Sequence, residues 1–244
     1  MKNVALLLLL VVAANPGVRA DGPAPDPSKQ PAAGPGSPGA HRTYTTGFPL
    51  AEPLLSEGGN WACGKTGALD WADVGTTPGH AFGLESGVDG YDDSTALLTG
   101  PWGADQWAQA TVYTANQNEK LSQEVELRLR SSLSPHVASG YEINFRCLKT
   151  KNAYCEIVRW NGPLSKFTYI VHKQGAQYGV SDGDVVKASA VGNVITVYIN
   201  GVQVAQASDS TYPEGSPGIG FFLQPLKGSN RDYGFTRFTA SDGP

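Results

Sequence analysis

Glu124-Val125-Glu126-Leu127-Arg128-Leu129-Arg130 holds the residues best spaced for chemistry in this 244-residue chain. Side chains two apart share one face of an extended strand, so Glu124 and Glu126 stand together at roughly 6.5–7 Å between α-carbons. Paired carboxyls can cleave a glycosidic bond: separations of about 5–5.5 Å suit a nucleophile, and about 6.5–9.5 Å leave room for water. Glu124 and Glu126 are therefore candidate catalytic residues. Arg128 and Arg130 share their alternation, and two guanidiniums would hold both glutamates ionised, the wrong state for a general acid. A solvated cross-strand charge ladder accounts for the same pattern.

A second set of residues suits binding rather than catalysis. Sugar rings present apolar C–H faces, so a glycan site needs exposed aromatic platforms flanked by hydrogen-bonding side chains. Trp107, Trp160 and Tyr198 are the candidate platforms, and Trp102 could wall the site from a Pro-Trp-Gly loop. Gln109, Arg128, Glu142, Asn144 and Arg146 are the candidate polar contacts. Large aromatics packed under loops are the competing reading. His172, in Ile170-Val171-His172, is a further catalytic candidate or an ordinary histidine at a strand end. Asp89-Gly90-Tyr91-Asp92-Asp93 is an acid-rich loop whose Asp89, Asp92 and Asp93 are candidate calcium ligands, although turn chemistry alone explains aspartates there. No Ser-His-Asp order, phosphate-cradling glycine loop or dinucleotide fingerprint appears.

The elements that must position these residues are strands. Helical periodicity is nearly absent, and alternating runs recur between Gly, Pro, Asn, Asp and Ser. Strands are expected at 81–84, 95–98, 107–113, 122–131, 140–147, 154–160, 166–172, 185–191, 194–200, 202–208, 218–223 and 232–240. The run 184–205 is a meander with turns at Gly192-Asn193 and Asn200-Gly201, residues that tolerate positive φ. A dozen strands without a helix imply an all-β, two-sheet antiparallel β-sandwich. Alternation assigns Tyr141, Ile143, Phe145 and Cys147 to one face and Glu142, Asn144 and Arg146 to the other.

Residues 1–20 read as a signal peptide, with Lys2, an apolar run at 4–14 and a small-residue cut after Ala20. That run is too short to cross a bilayer, and no second long apolar run follows, so no membrane span is expected. Residues 21–42 read as a Pro/Gly/Ala-rich linker. Residues 43–244 are one β domain. Loss of Lys2 and Arg19 would move the formal charge from −4 to −6, which argues against nucleic acid as a partner. Export would permit a disulfide, and Cys147–Cys155 across a hairpin loop is the expected pairing, with Cys63 left over.

The order of these segments resembles the concanavalin A-like lectin/glucanase superfamily, including laminin-G-type bacterial secreted domains. Residues 104–112, 124–130, 140–146, 154–162 and 184–205 carry the resemblance, and Ser216-Pro217-Gly218-Ile219-Gly220-Phe221 closes it. It implies a jelly roll, and a function among binders, hydrolases and lyases. Glucanase-like members carry Glu-x-Asp-x-(x)-Glu on a strand. Here the middle acid is Glu126, and Arg128 stands where the third acid would be. Jelly-roll alginate lyases carry Gln-Ile-His, of which only His172 remains. Many members hold a structural calcium, so the resemblance raises calcium as a candidate cofactor here without mapping a ligand set. The reading drawn from sequence is a secreted, noncatalytic, carbohydrate-binding domain with a polysaccharide or glycan as partner. A polysaccharide-degrading enzyme and a protein-binding adhesion module are the alternatives.

Overall fold

A computed structural model describes residues 41–86, 90–225 and 228–243. The expected signal peptide, most of the linker and Asp89 lie outside the described residues. The described chain forms the strands β1 (Thr43–Thr46), β2 (Trp61–Cys63), β3 (Val74–Thr77), β4 (His80–Gly83), β5 (Ser94–Leu98), β6 (Gln106–Thr114), β7 (Ser122–Ser134) and β8 (Val137–Arg146). It continues with β9 (Tyr154–Gly162), β10 (Phe167–Gln174), β11 (Val185–Val191), β12 (Val194–Ile199), β13 (Val202–Ser208), β14 (Ser216–Gln224) and β15 (Tyr233–Ser241). Sheet A runs β13-β12-β11-β6-β15-β4-β3, with β1 also paired to β15, and sheet B runs β10-β9-β8-β7-β14-β5-β2. Every strand pairing is antiparallel. The chain therefore has the two-sheet jelly roll of the concanavalin A-like fold.

Strand alternation builds the core. Sheet B turns Val125, Leu127, Leu129, Tyr141, Ile143, Phe145, Ile219 and Phe221 inward, all fully buried. Sheet A meets them with smaller side chains on β6 and β11, among them Ala108, Ala110, Ala188 and Ala190. Asn200 and Gly201 take φ of 51° and 78°, which locks the β12–β13 register through a tight turn. The strands not expected from sequence are β1, β2 and β3, three or four residues each and too short to show alternation.

Two expectations need correction. All three cysteines are free and buried, so the Cys147–Cys155 disulfide does not form in this structure. Register pairs Cys155 with Phe145, which leaves Cys147 on the diagonal. Diagonal neighbours lie about 7–8 Å apart, whereas a disulfide needs β-carbons within about 4.5 Å. Arg130 also leaves the glutamate face. It sits at a bulge with φ of 47°, and its guanidinium donates to the carbonyls of Ala104 and Gly192 at 2.7 and 2.8 Å.

Candidate functional site: an acidic, aromatic cleft on sheet B

Register across sheet B assembles the site from residues far apart in sequence. Glu126 on β7 lies between Gly220 on β14 and Asn144 on β8. Asn144 faces Glu156 on β9, which faces His172 on β10. The neighbouring row is Gly218, Arg128, Glu142, Val158 and Tyr169. Trp160 and Phe167 pair in the row beyond. A bulge between Tyr169 and Val171 inserts one residue into β10, so His172 shares a face with Tyr169.

Buried charge organises the floor. Arg128 Nη2 donates to Glu126 Oε2 at 2.5 Å, and Nη1 donates to Glu142 Oε2 at 2.6 Å. Asp93 Oδ2 is 3.8 Å from the same guanidinium. Trp160 Nε1 donates to Glu142 Oε2 at 2.5 Å. Asn144 Nδ2 bridges Glu142 and Glu156 at 3.1 and 3.0 Å. His172 Nδ1 lies 2.5 Å from Glu156 Oε1, and Tyr154 donates its hydroxyl proton to Glu124. Gly220 makes room for the ion pair: a β-carbon there would fall 2.2 Å from Glu126 Oε2 and 2.8 Å from Arg128 Nη2.

Burial sets the protonation of these groups. It pushes the carboxyls of Asp93 and Glu126 above the ordinary range, with Glu142 adding repulsion and Arg128 opposing. Burial likewise raises Glu124, against the Tyr154 hydrogen bond and with repulsion from Glu156. For Arg128 burial works against the charge, but Glu142, Glu126 and Asp93 outweigh it and hold the guanidinium charged.

Above this floor lies a cleft of about 310 Å³, at the small end of ligand-site sizes. Its walls are Asp93, Glu124, Glu142 and Glu156 with six aromatic rings: Tyr91, Tyr154, Trp160, Phe167, Tyr169 and Phe222. Ser122, Asn144, Val158 and Gln224 complete the lining. The rings stack into a braced wall. Trp71 meets Trp160 at 5.4 Å, Trp160 meets Phe167 at 5.2 Å, and Phe167 meets Tyr169 at 5.3 Å and Tyr91 at 5.2 Å. At the solvent end Tyr91 and Tyr169 are 45 % and 55 % exposed.

The candidates from sequence divide between two faces. Glu124, Glu126, Arg128, Glu142, Asn144 and Trp160 come together at this cleft, with His172 at its rim. Arg146 lies at one end, its guanidinium 5.6 Å from the Tyr154 ring and bonded to three backbone carbonyls. Trp107, Gln109 and Tyr198 stand on sheet A, away from the cleft. There Lys187 pairs with both Gln109 and Tyr198, and its ammonium sits 4.4 Å from the Trp107 ring. Trp102 is buried beneath Arg42. Sequence reasoning missed Tyr91, Tyr154, Glu156, Phe167, Tyr169, Phe222 and Gln224. On β9, Val158 and Trp160 place apolar residues on the cleft side while Cys155 and Ile157 do so inside, which blurs the alternation that would have found Glu156.

Asp93, Glu126 and Glu142 each offer an oxygen within 4.8 Å of the others, the one such group of acids among the described residues. They do not fit a calcium ion, because the Arg128 guanidinium already bonds two of them and approaches the third. Asp92 is turned instead to the Ser86 hydroxyl at 3.1 Å. A chelator should therefore leave the melting temperature unchanged. A fall on chelation that calcium restores would contradict this reading of the floor.

No protein-family model matches the sequence, and no curated protein matches it either. Solved structures share the fold. A carbohydrate binding module, CBM66 from Bacillus subtilis, is 16 % identical, with a TM-score of 0.50 over 78 % of this chain and 97 % of that one. A GlcNAcα1-4Gal releasing endo-β-galactosidase from Clostridium perfringens is 10 % identical, with a TM-score of 0.50 over 86 % of this chain. The chain spans 64 % of that enzyme's length. At such identities the likeness is one of fold alone, the two-sheet jelly roll.

Proposed function

We propose that this is an exported, noncatalytic glycan-binding domain whose ligand lies in the sheet B cleft. The observation that carries it is the wall from Trp71 to Tyr169. Aromatic rings braced edge to face end in exposed tyrosines beside a row of hydrogen-bonding side chains. That is the pairing of apolar platform and polar floor that a sugar ring demands. A neighbour of the same fold is itself a carbohydrate binding module. The binding reading is favoured over hydrolysis because Glu126, half of the strand pair, is 0 % exposed and held by Arg128. Hydrolysis remains a second reading on one observation: Glu124 lines the cleft with its carboxyl raised by burial, as a general acid requires. Lyase chemistry is disfavoured, since among the described lining residues there is no Lys or Arg to neutralise a uronate carboxylate.

Incubating the full chain with a panel of soluble and insoluble polysaccharides tests the proposal. Co-sedimentation or a mobility shift without new reducing ends is the expected result. New reducing ends abolished by Glu124→Gln would transfer the assignment to a hydrolase. No interaction with any glycan would overturn the proposal in favour of a protein-binding module.

A further inference from the structure

The wall of the cleft is chemically one-sided. Four of its side chains are carboxyls and six are aromatic, and among the described lining residues there is no Lys, Arg or His. Arg128 lies one layer down, 3 % exposed, with Nη1 on Glu142, Nη2 on Glu126 and Nε without a partner among the described residues. Inside the floor, Asn144 Oδ1 and Glu126 Oε1 have no hydrogen-bond partner among the described residues, although both side chains are more than nine-tenths buried. Asn144 Oδ1 thus offers the cleft an unused acceptor, and Glu124, bonded by the Tyr154 hydroxyl, stands without an ion-pair partner among the described residues at the level a ligand would reach, while Glu156 is met by His172 at the rim.

We propose that the ligand presents a protonated amine to this cleft, so that the glycan is one built from 2-amino sugars with free amino groups. This rests on the glycan-binding reading and narrows it. An ammonium offers three donors and no acceptor, the complement of a floor made of carboxylate and amide oxygens. It would offset the charge of the wall as Arg128 offsets that of Glu126 and Glu142 beneath it. Aromatic faces at the mouth attract the same cation: Tyr91, Phe167 and Tyr169 present their quadrupoles where the amine enters. The sugar ring then lies against these rings by its C–H face. An N-acetylated sugar keeps the ring and loses the charge, and a uronate reverses it.

The test is calorimetric titration of the full chain with three β-1,4-linked tetrasaccharides of the same backbone: glucosamine, N-acetylglucosamine and glucose. The expected result is at least tenfold tighter binding of the glucosamine tetramer. Glu124→Gln should shrink that preference severalfold. Glu214→Gln removes an exposed acid outside the cleft and should leave it unchanged, which separates the site from general attraction to an acidic protein. Equal or tighter binding of the acetylated or neutral tetramer would overturn this inference and leave the glycan-binding reading standing. A preference that falls equally in both variants would overturn it too, by assigning it to net charge. If no tetramer binds and the polysaccharide panel is also negative, both readings fail together.

Discussion

Arg128→Met should lower stability by about 3–5 kcal/mol, the cost of leaving a buried charge without its partner. For a domain of this size that corresponds to a fall in melting temperature of roughly 6–20 °C. Methionine fills much of the volume, so the loss is electrostatic. Glu126 and Glu142 would keep their places on β7 and β8 without the guanidinium that now bonds both. The cost should depend on pH, and the sign is fixed. Burial already raises Glu126 and Asp93 above their unfolded values, and Arg128 is the group that opposes the rise. Removing it raises both further. A carboxyl whose folded pKa lies above its unfolded value holds a proton that the unfolded chain has released. Its contribution is present at low pH and lost as pH rises from the ordinary carboxylate range through the raised value. The deficit of Arg128→Met should thus be small in acid and grow towards neutrality. A deficit independent of pH would mean that packing, not charge, holds this floor together.

Tyr169→Ala should weaken glycan binding about 30-fold, roughly 2 kcal/mol, while leaving the melting temperature nearly unchanged. The separation follows from where the ring sits. It is 55 % exposed on the edge strand β10, so folding gains little from it. Yet it is braced by Phe167 at an interplanar angle of 83°, and Phe167 in turn rests on Trp160. A ring already held in place loses little freedom when a sugar stacks on it, and such anchors dominate affinity. Trp160→Ala would be a poorer probe, because it also breaks the bond to Glu142 and opens the small buried cluster that Trp160 forms with Leu69, Trp71 and Ala138.

The sandwich was legible because its strands declare themselves by alternation. Val125, Leu127 and Leu129 against Glu124, Glu126 and Arg128 identify both faces of β7 without help from any other strand. Asn200-Gly201 fixes the meander for the same local reason. The cleft was legible only in part, because it is made by register between strands distant in sequence. Glu126 meets Gly220 across β14, and Glu156 meets His172 only because β10 is bulged. Nothing local marks that bulge, nor the one that turns Arg130 away. The outward direction of Trp107 could be read from its own strand, whereas that of Trp160 could not, because β9 carries apolar residues on both faces. That they stand on different sheets is a matter of topology, and one aromatic face read from sequence becomes two.

A glycan bound on the outer face of sheet B would touch Tyr169 and not Trp107. The direct measurement compares binding of the wild-type chain, Tyr169→Ala and Trp107→Ala to whichever polysaccharide the panel retains. The cleft predicts that Trp107→Ala binds as the wild type does and Tyr169→Ala loses most of its affinity. Retention by Tyr169→Ala together with loss by Trp107→Ala would move the site to sheet A.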